Sequence, residues 1–363
     1  MEHTLKILRD LCLTPAPSGF EKEIAVKVRD YLSPHCDTIE TDFLGNVIGK
    51  ICGRDASLKP LLINAHMDRV GVIVSNILPN GFLKIEKIGW TNDKVLPGLT
   101  LAIRRKDRLG WITGVVGTKC AHLLSPEEQR MSQPISSLLV DVGADNAEQA
   151  RTLGVEIGAP CVYMPHFSEL HDGRVCATAL DNCGCVAALI GIACELHDNR
   201  PMRDVYLAGN VWEEYNQRAA AVLAAKIRPV AVISMDMLLA GDTPDIGGSF
   251  CGSVGQGPMA SCYNFCDRPC NGTIAHEGLY DLAEKVAAVR RTGLQRYVCV
   301  NSLGDNAYSQ LAGDGPACIE IGAPVRYAHS SGEVADLHDI DALESLVAGM
   351  ALEMGPDFQQ ARF

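Results

Sequence analysis

Short, nearly continuous apolar runs punctuate the chain at Pro60 to Ala65, Val205 to Val211 and Val230 to Met235. Runs of this kind read as strands buried on both faces, because a strand with one wet side alternates apolar and polar residues. Between them the spacing becomes helical. Leu5, Leu8, Leu11 and Leu13 predict a helix that Pro15-Ala16-Pro17-Ser18-Gly19 stops, and a second helix runs to about Leu32 with Ser18 or Gly19 as its cap and Glu21 in its first turn. Thr38 to Thr41 and Asn46 to Ile51 predict paired strands joined around Leu44-Gly45. From Cys185 onward the elements alternate: helix 185–197, strand 204–211, helix 217–226, strand 230–236, helix 277–291, strands 297–301 and 317–321, helix 339–353. That alternation predicts an α/β fold, a mostly parallel mixed sheet flanked by helices.

The texture changes between Val70 and about Cys161. Gly71-Val72-Ile73-Val74, Leu83-Lys84-Ile85, Leu101-Ala102-Ile103 and Gly114-Val115-Val116 are short β-type runs separated by turn residues. Regularly spaced short strands predict a small barrel or sandwich. The expected organisation is a discontinuous α/β domain over 1–70 and 165–363, interrupted by a β-rich domain at 71–164. No internal repeat or low-complexity segment interferes with this reading.

Composition narrows the function classes. With 363 residues, 47% hydrophobic and 21% charged, the chain has ample material for a core. A formal charge of -12 argues against a nucleic-acid surface, which needs concentrated Lys and Arg. No apolar run approaches the roughly 20 residues that span a bilayer, so no membrane partner is expected. The 15 cysteines are odd in number and follow a start (Met1-Glu2-His3-Thr4-Leu5-Lys6) without a signal-type apolar region; reduced thiols in a cytoplasmic protein are expected.

The residues at the ends of the apolar runs carry the candidate chemistry. His66-Met67-Asp68, Glu213-Glu214, Asp236 and Tyr327-Ala328-His329 each come directly after a strand-like run, and Asp181 opens the small-residue run that begins at Cys185. Ligands of open α/β sheets collect at the carboxyl ends of strands, so these side chains can converge there. Two His with several carboxylates form a nitrogen and oxygen set suited to zinc, cobalt or manganese, with Asp181 as the candidate shared carboxylate. Glu213-Glu214 can supply one ligand and one general base, and Asp68 can orient His66 or the local backbone. Taken singly, the Glu pair reads as a solvated loop, His66 as a hydrogen-bonded core residue, and Asp236 or His329 as a helix cap or polar contact. Cys262, Cys266 and Cys270 have helical spacing but no Cys-x-x-Cys, and read as buried thiols. Cys183-x-Cys185 either lines the site or packs, and Gly252 to Pro258 reads as a turn near the cleft rather than a dinucleotide loop.

Ala65-His66-Met67-Asp68, Leu180-Asp181-Asn182, Glu213-Glu214, Asp236 and Tyr327-Ala328-His329-Ser330, in this order, resemble the dinuclear-metal aminopeptidases that build tetrahedral assemblies, a family including glutamyl aminopeptidases and members once labelled cellulases. The inserted segment adds Val95-Leu96-Pro97-Gly98, His122 to Glu128 and Asp141-Val142-Gly143-Ala144, so the resemblance covers nearly the whole chain. It implies two divalent ions per subunit (zinc, cobalt or manganese), one held by His66 and Asp236, the other by Glu214 and His329, with Asp181 bridging. It further implies Glu213 as catalytic base, Asp68 as a supporting carboxylate, short peptides as substrates, and a homo-oligomer, in that family a twelve-subunit tetrahedron.

Arg69, Cys183 and the stretch Tyr215 to Ala220 depart from the family pattern beside the ligands, and Asn301 to Asp305 stands where the family carries Gly-Gly-Thr-Asp. The expected activity is removal of amino-terminal residues from short peptides. Hydrolysis of another small amide or acylated compound, and a non-catalytic metal- or peptide-binding assembly, are the competing readings; retention of Glu213 argues against the last, which has no use for a base.

Overall fold

A computed structural model describes residues 1–248, 251–266 and 271–362. Its centre is a nine-stranded mixed sheet. In order across it lie Thr38–Thr41, Val47–Ile51, Val205–Asn210, Leu61–His66, Ala231–Met235, Ala317–Gly322, Met259–Cys266 and Asn271–Ile274, with Gln295–Val300 also pairing to Met259–Cys266. Four adjacent strands in the middle run parallel (Val205–Asn210, Leu61–His66, Ala231–Met235 and Ala317–Gly322), and the strands that flank them, Val47–Ile51 and Met259–Cys266, pair antiparallel. These four are the strands with near-continuous apolar runs, because helices cover both of their faces.

The two faces differ. Helices Glu2–Cys12, Lys22–Leu32, Leu180–Asp198, Glu277–Arg290 and Leu337–Glu353 pack with Leu61, Ile63, Ile233 and Ile319 into the main core. On the other face Leu62, Ala208, Val232 and Cys318 meet Leu223 and Ala224 of helix Ala219–Ile227. Helix Leu180–Asp198 is long and apolar enough to cross a bilayer, contrary to the expectation of no such run, but 78% of that stretch is buried inside the protein. Its glycines allow this close fit: a Cβ at Gly184 would lie 2.6 Å from Met237 Sδ.

The inserted segment folds into a closed barrel of Gly71–Ile77, Leu83–Ile88, Leu139–Asp141, Trp111–Val116, Thr100–Arg104 and Pro160–Tyr163. Closure resolves the choice between barrel and sandwich. Val72, Val74, Leu83, Ile85, Leu101, Ile103 and Val140 alternate inward to fill it with a separate core.

One local expectation changes. Ser18 does not cap the second helix, whose first turn carries no side-chain cap; its hydroxyl donates instead to Asp68 Oδ2 at 2.6 Å. Gly252 to Pro258 is a turn next to the cleft, as expected: a Cβ at Gly252 would lie 3.6 Å from the carbonyl oxygen of Leu239 in the cleft wall, and the amides of Gly255 and Gly257 donate to the Asp339 carboxylate at 2.6 and 2.7 Å and hold the turn on helix Leu337–Glu353. Cys262 and Cys266 lie on a strand, so their helical spacing is incidental, and Cys270 lies outside the described residues.

Strand register brings the ends of the parallel strands level. His66 pairs with Asn210, and Ala65 with Met235, which places Asp236 beside His66 one residue on. Gly322 is the tight point of that edge, since a Cβ there would stand 1.5 Å from the Asp236 carbonyl oxygen. Gly322→Ala is expected to destabilise the fold by about 1–3 kcal/mol, through overpacking that forces the backbone apart. Urea unfolding should show a lowered midpoint with an unchanged slope; a wild-type midpoint would refute the tight contact.

Candidate metal centre and its cleft

All the predicted site residues except Asp68 face one another across a few ångströms at this strand edge. His66 Nε2 lies 3.3 Å from Asp181 Oδ1 and 3.4 Å from Asp236 Oδ1. His329 Nε2 lies 3.4 Å from Asp181 Oδ2 and 3.3 Å from Glu214 Oε2. The result is two overlapping donor groups, His66 with Asp181 and Asp236, and Asp181 with Glu214 and His329; within each group the ligand atoms fall within 4.8 Å of one another. Asp181 turns one oxygen to each group. Glu213 stands beside the first, its Oε2 3.8 Å from His66 Nε2.

Local backbone sets these directions. Asp181 and Asn182 are non-helical before the helix proper begins, and Trp212 adopts a left-handed conformation that turns the chain from strand Val205–Asn210 into Glu213 and Glu214. Asp68 reaches this turn from below. Its Oδ1 accepts the Glu213 amide at 3.0 Å and its Oδ2 the Glu214 amide at 3.1 Å. The contact with His66 comes mostly from the Asp68 backbone: the carbonyl oxygen is 3.0 Å from Nδ1, whereas the carboxylate is 3.6 Å away. Of the two roles open in the sequence, positioning the backbone is the one its carboxylate fulfils.

The donor chemistry fits divalent metal. Each imidazole has its Nδ1 against a carbonyl, Asp68 for His66 and Trp90 for His329 at 3.2 Å, so Nδ1 carries the proton and Nε2 offers a lone pair to the cleft. Asp181 Oδ1, Glu213 Oε1 and Glu214 Oε1 are buried and make no hydrogen bond. Buried carboxylates without partners are costly unless a cation joins them. Their proton affinities carry the same signature. Burial pushes Glu214 up to about 8 and Glu213 well above the usual carboxylate range.

Comparison with known proteins gives the family. The sequence profile of the M42 glutamyl aminopeptidases matches residues 45–346. The chain belongs to the M42 glutamyl aminopeptidase family. It is 30% identical over 356 residues to a lysyl aminopeptidase of Pyrococcus furiosus, covering 97% of both chains. An aminopeptidase of the archaeon Desulfurococcus kamchatkensis superposes with a TM-score of 0.91 at 28% identity, over 98% of this chain and 96% of that one. A Pyrococcus horikoshii TET1 peptidase, described as able to assemble into a tetrahedron or a large octahedral shell, gives 0.85 at 26% identity over 97% and 100%. This M42 protein is a metal-dependent aminopeptidase, a hydrolase acting on peptide bonds.

Several residues of the M42 centre escaped the sequence reading. Glu333, on strand Glu333–Asp336 opposite Ala177, accepts the His329 amide at 2.8 Å and the Asp181 amide at 3.0 Å, tying a ligand of each group to one carboxylate. Its only signal was an acid four residues after His329. Beneath the two donor groups, Asn64 and Asn210 both donate to Asp305 Oδ2, and the Ser234 hydroxyl lies 2.9 Å from the Asn64 amide oxygen and 3.0 Å from that of Asn306, with one proton to share between them. The barrel also reaches the centre, through the Trp90 carbonyl and through Tyr163, whose hydroxyl donates to the His329 carbonyl at 3.1 Å.

The departures from the expected family pattern divide between the cleft, where Asn301, Ser302 and Leu303 line the wall, and positions away from it. Arg69 is buried and donates to the Leu11 and Cys12 carbonyls at the end of the first helix, with Cys183 Sγ 3.6 Å away. Cys183 packs there and does not line the cleft, and Tyr215 is exposed. Only Gln217 of that stretch enters the cleft, donating to the Leu303 carbonyl.

Glu333→Gln leaves a side chain that can accept only one of the two amides well. It is expected to weaken divalent-metal affinity about 10- to 100-fold, read by competition with a coloured chelator. Unchanged affinity would show that the two amides hold their ligands without it.

Proposed function

We propose that this aminopeptidase removes amino-terminal residues from short peptides with two divalent ions, and that the observation carrying this is the pair of donor groups sharing Asp181 beside a free carboxylate, Glu213. His66 and Asp236 would hold one ion, Glu214 and His329 the other, with Asp181 between them. The mixed nitrogen and oxygen donors suit zinc, cobalt or manganese. Ions bound there supply Lewis acidity that lowers the pKa of a water and polarises the first peptide carbonyl.

The remaining chemistry belongs to the chain. Glu213 takes a proton from the attacking water and delivers it to the leaving amine. Asp68 holds the Glu213 and Glu214 amides, fixing the base relative to the ligand turn. Asp305, pushed up to about 7 mainly by burial, anchors Asn64 and Asn210 under the strand ends.

We further propose a catalytic domain formed by 1–70 and 165–363, with the barrel at 71–164 as the element that assists assembly and restricts access. The likeness to Pyrococcus horikoshii TET1, described as able to assemble into a tetrahedron, and to PhTET1-12s, described as a dodecamer, supports a homo-oligomer, for which we propose a tetrahedral dodecamer. A cytoplasmic location is supported by the free thiols among the described residues. Relatives named lysyl and glutamyl aminopeptidases share this frame, so side-chain preference is set outside the ligand set.

Glu213→Gln is expected to lower kcat/KM on free-amine peptides by about 10²- to 10⁴-fold while metal content stays at the wild-type level. Activity within a few-fold of wild type would reject Glu213 as the base. N-acetylated peptides should resist cleavage, and their hydrolysis at comparable rates would move the other-amide reading ahead. Dialysis against a chelator should abolish activity and zinc, cobalt or manganese should restore it; activity that survives complete metal removal would refute the two-ion centre.

A further inference from the structure

Beyond the ligands the cleft continues toward the antiparallel side of the sheet, with a volume of about 370 Å³. Part of its wall there is apolar, Leu238, Tyr297 and Cys299 being buried in one small cluster, and Asn264, Asn301 and Ser302 line the rest. Glu320 also lines it and is 2% exposed. Strand Ala317–Gly322 places it opposite Ser234 on one side and Ser261 on the other. Ile319 and Ile321 flank it and belong to the main core, so strand alternation sends Glu320 to the opposite face, beneath the cleft.

The carboxylate is held as a site would be. The Asn264 amide donates to its Oε2. Gly304 leaves it room, because a Cβ there would stand 1.9 Å from Oε1. Among the described residues no Lys or Arg forms an ion pair with it, and the charges that bear on it are Asp236 and Asp305. Burial, with those two anions, pushes its carboxyl up to about 8. An acid so placed gains from a cation, and strand register puts it close to the donor groups, since Met235, just before Asp236, pairs with Ile321, just after Glu320.

We propose that Glu320 makes this enzyme selective for peptides with an amino-terminal lysine, whose alkyl stem lies along Leu238, Tyr297 and Cys299 and whose ammonium meets Glu320. The inference rests on the aminopeptidase reading above. A lysine suits an apolar wall ending in an acid, because its charge is compact and its stem is hydrocarbon. An acidic amino-terminal residue would meet like charge and is rejected.

The test compares peptides that differ only in an amino-terminal lysine or norleucine, which share the stem and differ in the ammonium. Wild type is expected to prefer lysine, and in Glu320→Gln the lysine-to-norleucine ratio of kcat/KM should fall about 10- to 100-fold, the scale of a charge-assisted hydrogen bond. Gln keeps the acceptor that Asn264 uses. A wild type that cleaves norleucine peptides as well as lysine peptides, or a ratio unmoved in Glu320→Gln, overturns the proposal while leaving the aminopeptidase reading intact. Failure to cleave either peptide would instead count against that reading. Calorimetric binding of lysinamide against norleucinamide to the metal-loaded protein then decides the role of Glu320 by itself: tighter lysinamide binding that is lost in Glu320→Gln supports it, and equal binding overturns it.

Discussion

Concentrated negative charge at the carboxyl edge of four parallel strands is the constraint on which this structure turns. Asp181, Glu213, Glu214 and Asp236 share one cleft with only two imidazoles to offset them, and three of these acids are buried to below one-tenth exposure. In a medium of low dielectric such a set is unstable by itself, because each desolvated carboxylate raises the cost of the next. Cations are therefore part of the folded chemistry rather than an addition to it. The response of the protein is to fix everything around them. Both imidazoles are locked through Nδ1, Glu333 pins two ligand amides, and Asp68 pins two more at the Glu213-Glu214 turn.

Polar support continues beneath the ligands and explains an asymmetry in the sheet. Where most of the second face is apolar, with Leu62, Val232 and Cys318 against Leu223, its carboxyl end becomes a buried network of Asn64, Asn210, Ser234, Asp305 and Asn306. Buried amides of this kind cost free energy unless fully bonded, and here the Asp305 carboxylate gathers both Asn side chains. The network keeps two adjacent parallel strands in one register where they deliver His66 and the Glu213-Glu214 turn.

The same physics decides which parts were legible in the sequence. Doubly buried strands need apolar runs, so the strands ending in His66, Asn210 and Met235 were visible, and the polar residues just beyond them were visible by contrast. His66, Glu213, Glu214 and Asp236, which meet in or beside the two donor groups, stood out because each comes just after such a run. Glu333 did not, because its work is to accept two backbone amides, and nothing in side-chain spacing records where distant amides point. The reach of Asp68 to the Glu213 turn, and of Ser18 to Asp68, was hidden for the same reason: both are contacts across more than forty residues, made by tertiary packing alone. Barrel closure was equally illegible, since alternating short strands satisfy a sandwich and a barrel alike until the first and last strands meet, as Gly71–Ile77 and Pro160–Tyr163 do.

The barrel also changes how the centre should be understood. His329 sits on a turn with a left-handed backbone, far along the chain from the barrel, yet its Nδ1 faces the Trp90 carbonyl and its own carbonyl accepts the Tyr163 hydroxyl. One ligand of the second donor group is therefore held from both sides by a segment that contributes no ligand itself. Gly89 is pressed equally close, since a Cβ there would stand 2.8 Å from the Glu214 carbonyl oxygen. Any force that shifts the barrel, including contact with other subunits, would bear first on His329 and Glu214 and leave His66 and Asp236, which stand on the sheet, in place. His66 and Asp236 are thus carried by the sheet, whereas His329 and Glu214 are also braced by the insert, and Asp181, at the start of its helix, is common to both groups.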